Sequence, residues 1–304
     1  LILLSCQKVL KLFSQPHKGW EEGVTATDYS FLSTLMDLVY VNIKSKWESN
    51  ELKFSLRSAE KHLKFDKVVI VGYLPPFLSP DRVFHIPFEE RIEKKWKNVA
   101  DKFELIVNHP DISKDFIYMN DDFFLLKDYP KIPYFYRGTL ADTTKGNRPG
   151  EYWKRLRKTY ECFPDGLNYE VHFPMVFNKA KLKKVIEKYG WEVERRSTYC
   201  NEYKVPSKLT EDYKCFHIKD LDKVTNVPFF STSDEVVLYP AFLTFIHERF
   251  PEPSSYEINQ QDKIKQKKQE LLKVIEIYKQ KNPQKYEQRK EELERKLTLM
   301  ELQI

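Results

Sequence analysis

Three short apolar runs, each leading into a polar loop and separated from the next by a helix-periodic stretch, constrain this chain more than any other feature. Leu38 to Ile43 reads as a buried strand, and the polar loop Lys44 to Asn50 follows it. Glu51 to Leu63 then sets Leu52, Leu56 and Leu63 among charges, the periodicity of an amphipathic helix. Val68-Val69-Ile70-Val71-Gly72 is a continuous β-branched run closed by glycine, as expected of a central strand covered on both faces. Pro75-Pro76 opens a loop, and Ile92 to Val107 is helical again, with Trp96, Val99, Phe103 and Ile106 on one side. Phe116-Ile117-Tyr118-Met119 forms the third strand and ends in Asn120-Asp121-Asp122. This β-α-β-α-β order predicts an α/β fold built on a doubly wound, mostly parallel sheet.

The remainder divides by composition. An irregular, aromatic-rich region, Tyr129 to Gly150, precedes a helix near Glu151 to Cys162, the segment Tyr169 to Pro174, a basic helix from Lys179 to Tyr189, and Ser233 to Phe250. From Asp262 to Ile304 there is no glycine, and Lys, Glu and Gln dominate. Asn282-Pro283 supplies an N-cap followed by proline at the first helical position, so this part reads as a charged helical hairpin or bent helix. Its narrow stripe of Leu293, Leu297, Met300 and Ile304 suits self-association or folding back on the domain equally. We therefore divide the chain into an extension at 1–35, an α/β catalytic domain at 36–258 and a C-terminal helical extension at 259–304. The first methionine, Met36, stands at the first of these boundaries; a packed N-terminal helix is the other reading of 1–35.

Composition excludes several classes. The 8 glycines form neither G-x-G-x-x-G nor G-x-x-x-x-G-K-[ST], which removes the standard dinucleotide and P-loop cradles. No apolar run approaches the roughly 20 residues that span a bilayer. Leu1 to Cys6 lacks the basic flank and apolar length of a signal peptide. The net charge of +6 is spread along the chain and does not single out nucleic acid as a partner. Cys6, Cys162, Cys200 and Cys215 contain no C-x-x-C pair, so we expect neither a zinc site nor a disulfide framework, and a cytoplasmic location.

Ligands of open α/β sheets bind at the carboxyl ends of the strands. Asn120-Asp121-Asp122 stands at such an end, where hard oxygen ligands suit Mg²⁺ or Mn²⁺ bridging a pyrophosphate; an ordinary capped turn is the competing reading. Lys53 and Arg57 lie four apart on one helix face and offer two cations to phosphate, or are solvated helix charges. His172, within Tyr169-Glu170-Val171-His172-Phe173-Pro174, is either a structural histidine or a general base.

Taken together, these segments resemble the Stealth family of sugar-phosphate transferases. Met36-Asp37-Leu38-Val39-Tyr40 is similar to the opening of that family's first block, and Glu51 to Ser58 with Lys67 to Leu78 resembles the start of the second. Phe116 to Leu125 (FIYMNDDFFL) is close to the end of the second block. His172-Phe173-Pro174 with Lys179 is similar to the third, and Phe230 to Asp234 leading to Phe250-Pro251 to the fourth. The resemblance runs from about 36 to 257. It implies a nucleotide-sugar transferase-like sheet, a nucleotide-sugar donor, a divalent metal (Mg²⁺ or Mn²⁺) and a glycan or other hydroxyl acceptor. Transfer of a sugar-1-phosphate would release a nucleoside monophosphate. By position, Asp121 and Asp122 become metal ligands, with Asp122, His172 and Asp234 catalytic. Lys53, Arg57, Ser58 and Asn120 become donor-binding residues.

Three departures mark a divergent relative. Val41-Asn42-Ile43-Lys44 replaces a tryptophan-valine-aspartate-glycine stretch, Phe230 stands where an arginine is usual, and Lys94 to Asn98 replaces a proline-threonine-phenylalanine-asparagine stretch, with Trp96 and Asn98 as substitutes. A glycosyltransferase releasing nucleoside diphosphate and a non-catalytic glycan-binding module, supported by the aromatics from Tyr129 to Tyr136, are the alternatives.

Overall fold

The computed structural model describes residues 36–45, 47–90, 95–146 and 148–301; the expectations for 1–35 and for Ile304 lie outside the described residues. The chain runs through β1 (Asp37–Asn42), α1 (Asn50–His62), β2 (Val68–Gly72), β3 (Val83–Ile86), α2 (Lys95–Asn108), β4 (Asp115–Met119), β5 (Phe123–Leu125) and β6 (Tyr134–Tyr136). Then come α3 (Leu140–Thr144), α4 (Glu151–Cys162), β7 (Met175–Asn178), α5 (Lys179–Tyr189), α6 (Arg195–Glu202), β8 (Ser207–Leu209), β9 (Lys214–Cys215) and α7 (Leu221–Val224). The order ends with β10 (Phe229–Thr232), α8 (Pro240–Arg249), α9 (Gln260–Lys281) and α10 (Pro283–Glu301).

The central sheet has the order β3-β2-β1-β4-β7. Its first four strands are mutually parallel, and β7 runs antiparallel to β4. Successive side chains of a strand point to opposite faces, and the burial follows that rule. Leu38 and Tyr40 of β1 pack with Leu52, Leu56 and Ala59 of α1 on one face. Val39 packs on the other with Phe103 and Ile106 of α2 and Leu182 and Val185 of α5. Helices thus cover both faces of a mostly parallel sheet, which is the expected α/β layering. Truncating a leucine such as Leu52, fully buried in this layer, removes packing worth about 2–5 kcal/mol.

Several features were not anticipated, the edge strand β3 among them. Met175–Asn178 fills the gap between Pro174 and the basic helix with an antiparallel edge strand, which Asn178 fixes by donating from Nδ2 to Asp115 Oδ1 (2.7 Å). A second sheet, β5-β10-β9, stacks Phe124 on Phe230 with ring centroids 4.9 Å apart. At the C-terminus α9 ends at Asn282 and α10 begins at Pro283, with Ile275 and Leu293 buried.

Candidate functional site

The strand order reverses beside β1. From it the chain builds outward through β2 and β3, then returns to place β4 on the other side, so the ends of β1 and β4 flank a crevice of the kind that binds ligands. Asn42 closes β1 there, donating from Nδ2 to Tyr73 O (2.7 Å), while its Oδ1 is buried without a partner. Gly72, at φ +115°, is required beside it, because a Cβ would sit 2.2 Å from Asn42 O.

Asn120-Asp121-Asp122 leaves β4 into this crevice. Burial raises the Asp121 carboxyl to about 8, and the negative charges of Asp122, Glu51 and Asp234 add to the rise. Glu51, buried at the start of α1, is also raised, first by burial and then by Asp234 and Asp122, against the Ser45 hydroxyl that donates to it (2.7 Å). Four carboxylates therefore repel one another around the strand ends. Asn120 Oδ1 is buried here without a hydrogen-bond partner.

From Asp122 a chain of polar contacts leads away from the crevice. Lys214 Nζ, at the start of β9, lies 3.5 Å from Asp122 Oδ2 and 3.2 Å from His172 Nε2. On the far side of the imidazole, Nδ1 is 2.9 Å from Asp212 Oδ2, and the His172 backbone N–H donates to Asp212 Oδ1 (2.9 Å). Burial pushes the Asp212 carboxyl up, but the hydrogen bonds donated by the His172 side chain and backbone and the charge of Arg137 outweigh it and hold the group below its ordinary value. An ionised carboxylate only accepts, so the Nδ1 facing it carries the proton and Nε2 keeps its lone pair towards Lys214. Arg137 Nη1 pairs with Asp212 Oδ2 at 2.8 Å, and its Nη2 donates to the Tyr152 hydroxyl (2.7 Å).

The imidazole is held from behind as well. Arg196 Nη1 donates to the carbonyls of Val171 (3.1 Å) and Phe173 (2.6 Å), the residues on either side of His172, and the Phe123 ring meets the imidazole edge-on at 5.8 Å. These contacts fix an imidazole that lines a cavity of about 620 Å³, its Nε2 capped by Lys214. Asn120, His172 and Lys214 line this space together with Arg137, Arg148, Arg195 and Arg196, the carboxylates Glu170 and Glu194, and the aromatic side chains of Tyr152, Trp153 and Phe216. Burial and the charge of Glu170 raise Glu194 to about 7, opposed by Arg155 and Arg195.

Of the residues expected at the site, Asp122 and His172 converge through Lys214, and Asn120 lines the same cavity as His172 and Lys214. Asp121 and the exposed Asp234 join the carboxylate group. The three helix residues expected to bind the donor serve elsewhere. Arg57 forms a bidentate pair with Glu257 (2.6 and 2.8 Å) and donates to Phe250 O (2.9 Å), which uses its fork to fasten the chain after α8 to α1. Ser58 is fully buried, donating to Ser55 O (2.7 Å) and accepting from Leu125 N (3.2 Å). Lys53 lies over the Phe77 ring at 4.9 Å. None of the three lines the large cavity, and the same holds for Trp96 and Asn98, the substitutes expected for the replaced stretch. Phe230 is core, so no side chain enters the cavity from that position; Arg195 and Arg196 enter from α6 instead.

Asp212, Lys214 and Arg137 went unread in the sequence. One signal was present: in Glu211-Asp212-Tyr213-Lys214 an acid and an amine two residues apart share one side of an extended chain. No protein-family model matches the chain, and no curated protein matches it in sequence.

Among the described residues no three His, Cys, Asp or Glu side chains converge to enclose a metal ion. Mg²⁺, however, is usually held by one or two carboxylates with substrate phosphates completing its shell. The crowded Asp121 and Asp122 and the orphaned Asn120 Oδ1 fit that mode. Among the described residues no helix is long and apolar enough to cross a membrane.

Proposed function

We propose that this chain is a metal-dependent transferase that takes a nucleotide-sugar as donor and moves its sugar-1-phosphate to an acceptor hydroxyl, releasing a nucleoside monophosphate. The observation that carries this reading is the line from Asp122 through Lys214 to His172 and Asp212, which joins a carboxylate crevice to a cationic cavity. In-line phosphoryl transfer asks for positioning and charge neutralisation more than covalent help. Each part of the site has a role in that demand. The resemblance to Stealth transferases and the parallel sheet with its crevice at the β1–β4 reversal point the same way.

Asp121 and Asp122 would hold Mg²⁺ or Mn²⁺, whose charge, when bound, neutralises the diphosphate of the donor. An acceptor hydroxyl displaces Lys214 from His172 Nε2 and gives up its proton there as its oxygen attacks the sugar-linked phosphorus, breaking the bond to the bridging diphosphate oxygen, which departs on the nucleoside monophosphate. Asp212 keeps the imidazole in the required tautomer and stabilises the imidazolium that forms. Lys214, released towards Asp122, faces the charge that develops on the phosphoryl oxygens.

The test is a screen of nucleotide-sugars with Mg²⁺ or Mn²⁺ and a mixture of glycan acceptors, with the released nucleotide identified by chromatography. Nucleoside monophosphate is the expected product. Nucleoside diphosphate would establish a glycosyltransferase instead. Glycan binding without turnover, indifferent to chelator and to Asp121→Ala, would leave a carbohydrate-binding module.

A further inference from the structure

The charges around the large cavity do not balance. Five cationic side chains line it (Arg137, Arg148, Arg195, Arg196 and Lys214) against two carboxylates. Both carboxylates are engaged elsewhere: Glu170 Oε1 accepts from the backbone N–H (3.0 Å) and hydroxyl (2.9 Å) of Ser197, and Glu194 pairs with Arg155 at 2.9 Å. Arg137 is held by Asp212, and Lys214 lies between Asp122 and His172.

Arg195 and Arg148 have no such contact, although the charges of Glu194 and Glu170 act on Arg195 from beyond ion-pair distance. Arg195 is half-buried, with its guanidinium 4.5 Å from the centre of the Phe103 ring and 5.5 Å from that of Trp191. Among the described residues it makes no hydrogen bond and no ion pair. Arg148 is exposed and lies over the Trp153 ring at 4.6 Å. Arg196 adds a second, independent sign: it is nine-tenths buried, and its Nη2 has no hydrogen-bond partner. A guanidinium drawn partly out of water with donors left unpaired is costly and is ordinarily matched by an anion in direct contact.

We propose that the cavity contains a phosphate-binding subsite centred on Arg195 and completed by Arg148. Planar guanidinium forks pair bidentately with phosphate oxygens, and several such forks on one cavity favour a multiply charged anion over a lone carboxylate. Asn120 at the strand end, His172 and the arginines line one cavity, so the phosphate is either the donor's diphosphate or a group carried by the acceptor. The subsite rests on the transferase reading only for that choice of source.

Calorimetric titration of the full chain with pyrophosphate tests the subsite without turnover. Wild type is expected to bind it, with affinity falling as salt rises. Arg195→Gln is expected to weaken binding about ten-fold or more, the ordinary worth of a charge-assisted contact. Arg148→Gln, at an exposed position, is expected to weaken binding without touching the fold, which covers the case in which Arg195→Gln fails to fold. A titration in the presence of Mg²⁺ and uridine or guanosine diphosphate separates the sources. Competition assigns the subsite to the donor, and simultaneous binding assigns it to an anionic acceptor. Absence of pyrophosphate binding by wild type, or binding unaltered in both variants, overturns the subsite even if transfer is observed. Pyrophosphate binding with no transfer to any acceptor overturns the transferase reading and leaves the subsite standing.

Discussion

Replacing Asp121 by asparagine should make the protein more stable, and the gain should depend on pH. The native Asp121 carboxyl titrates at about 8 against an ordinary 3.8. Between those values the native state holds a proton that the unfolded chain has released, so stability falls as pH rises through this window. The two values lie about four pH units apart, and each unit is worth 1.36 kcal/mol, giving a ceiling of about 5–6 kcal/mol above pH 8. Part of that repulsion is shared with Asp122, Glu51 and Asp234, and the half-buried site admits some water. A gain of about 2–4 kcal/mol for Asp121→Asn at pH 8 is the expected size. Below about pH 4 the carboxyl is protonated in both states and the variants should coincide. Urea unfolding followed by tryptophan fluorescence at intervals from pH 5 to 9 reads the difference directly. Mg²⁺ at millimolar concentration should close most of the gap by stabilising wild type alone, since binding to the native state adds RT ln(1 + [L]/Kd). Wild type and variant curves running parallel across that pH range would refute the crowding of carboxylates on which the metal assignment depends.

Three further outcomes follow from the same structure. Asp212→Asn removes the charge that orients His172, and turnover should fall about 10²–10⁴-fold, the usual contribution of general base catalysis, in single-turnover assays; a loss under twofold would remove the imidazole from the chemistry. Arg57→Ala should cost about 3–5 kcal/mol of unfolding free energy by stranding Glu257, while nucleotide affinity of the folded protein stays unchanged. Loss of nucleotide binding at normal stability would return Arg57 to the donor site. Leu293→Glu should loosen the α9–α10 pair, lowering helicity in circular dichroism while the unfolding transition of the α/β domain keeps its midpoint; a shifted midpoint would show that the hairpin supports the domain.

The parallel core was legible because its strands are apolar on both faces, which makes a run such as Val68 to Val71 readable without neighbours. The edge was not. Val83-Phe84-His85-Ile86 and Met175-Val176-Phe177-Asn178 are four-residue strands between loops and helix starts, short enough for either reading until β2 and β4 supply a partner. Within the site, Asn120, Asp121 and Asp122 were readable because a strand end announces them. Asp212 was not, because its role exists only once a contact spanning 40 residues brings it to His172. Arg57 shows the converse: its spacing from Lys53 suggested phosphate, but the carboxylate that claims it lies 200 residues away.

That last separation bears on how the chain is made. The face of α1 carrying Arg57 cannot be sealed until Glu257 has left the ribosome, about 10–40 s later at ordinary elongation rates. During that interval the nascent domain lacks its closing clasp, with Arg57 and the Phe54 ring beneath it uncovered on that side. Chains arrested before residue 257 should accordingly be far more sensitive to protease than chains arrested once the whole sequence has emerged, and equal sensitivity would mean that the clasp is ornament rather than fastening.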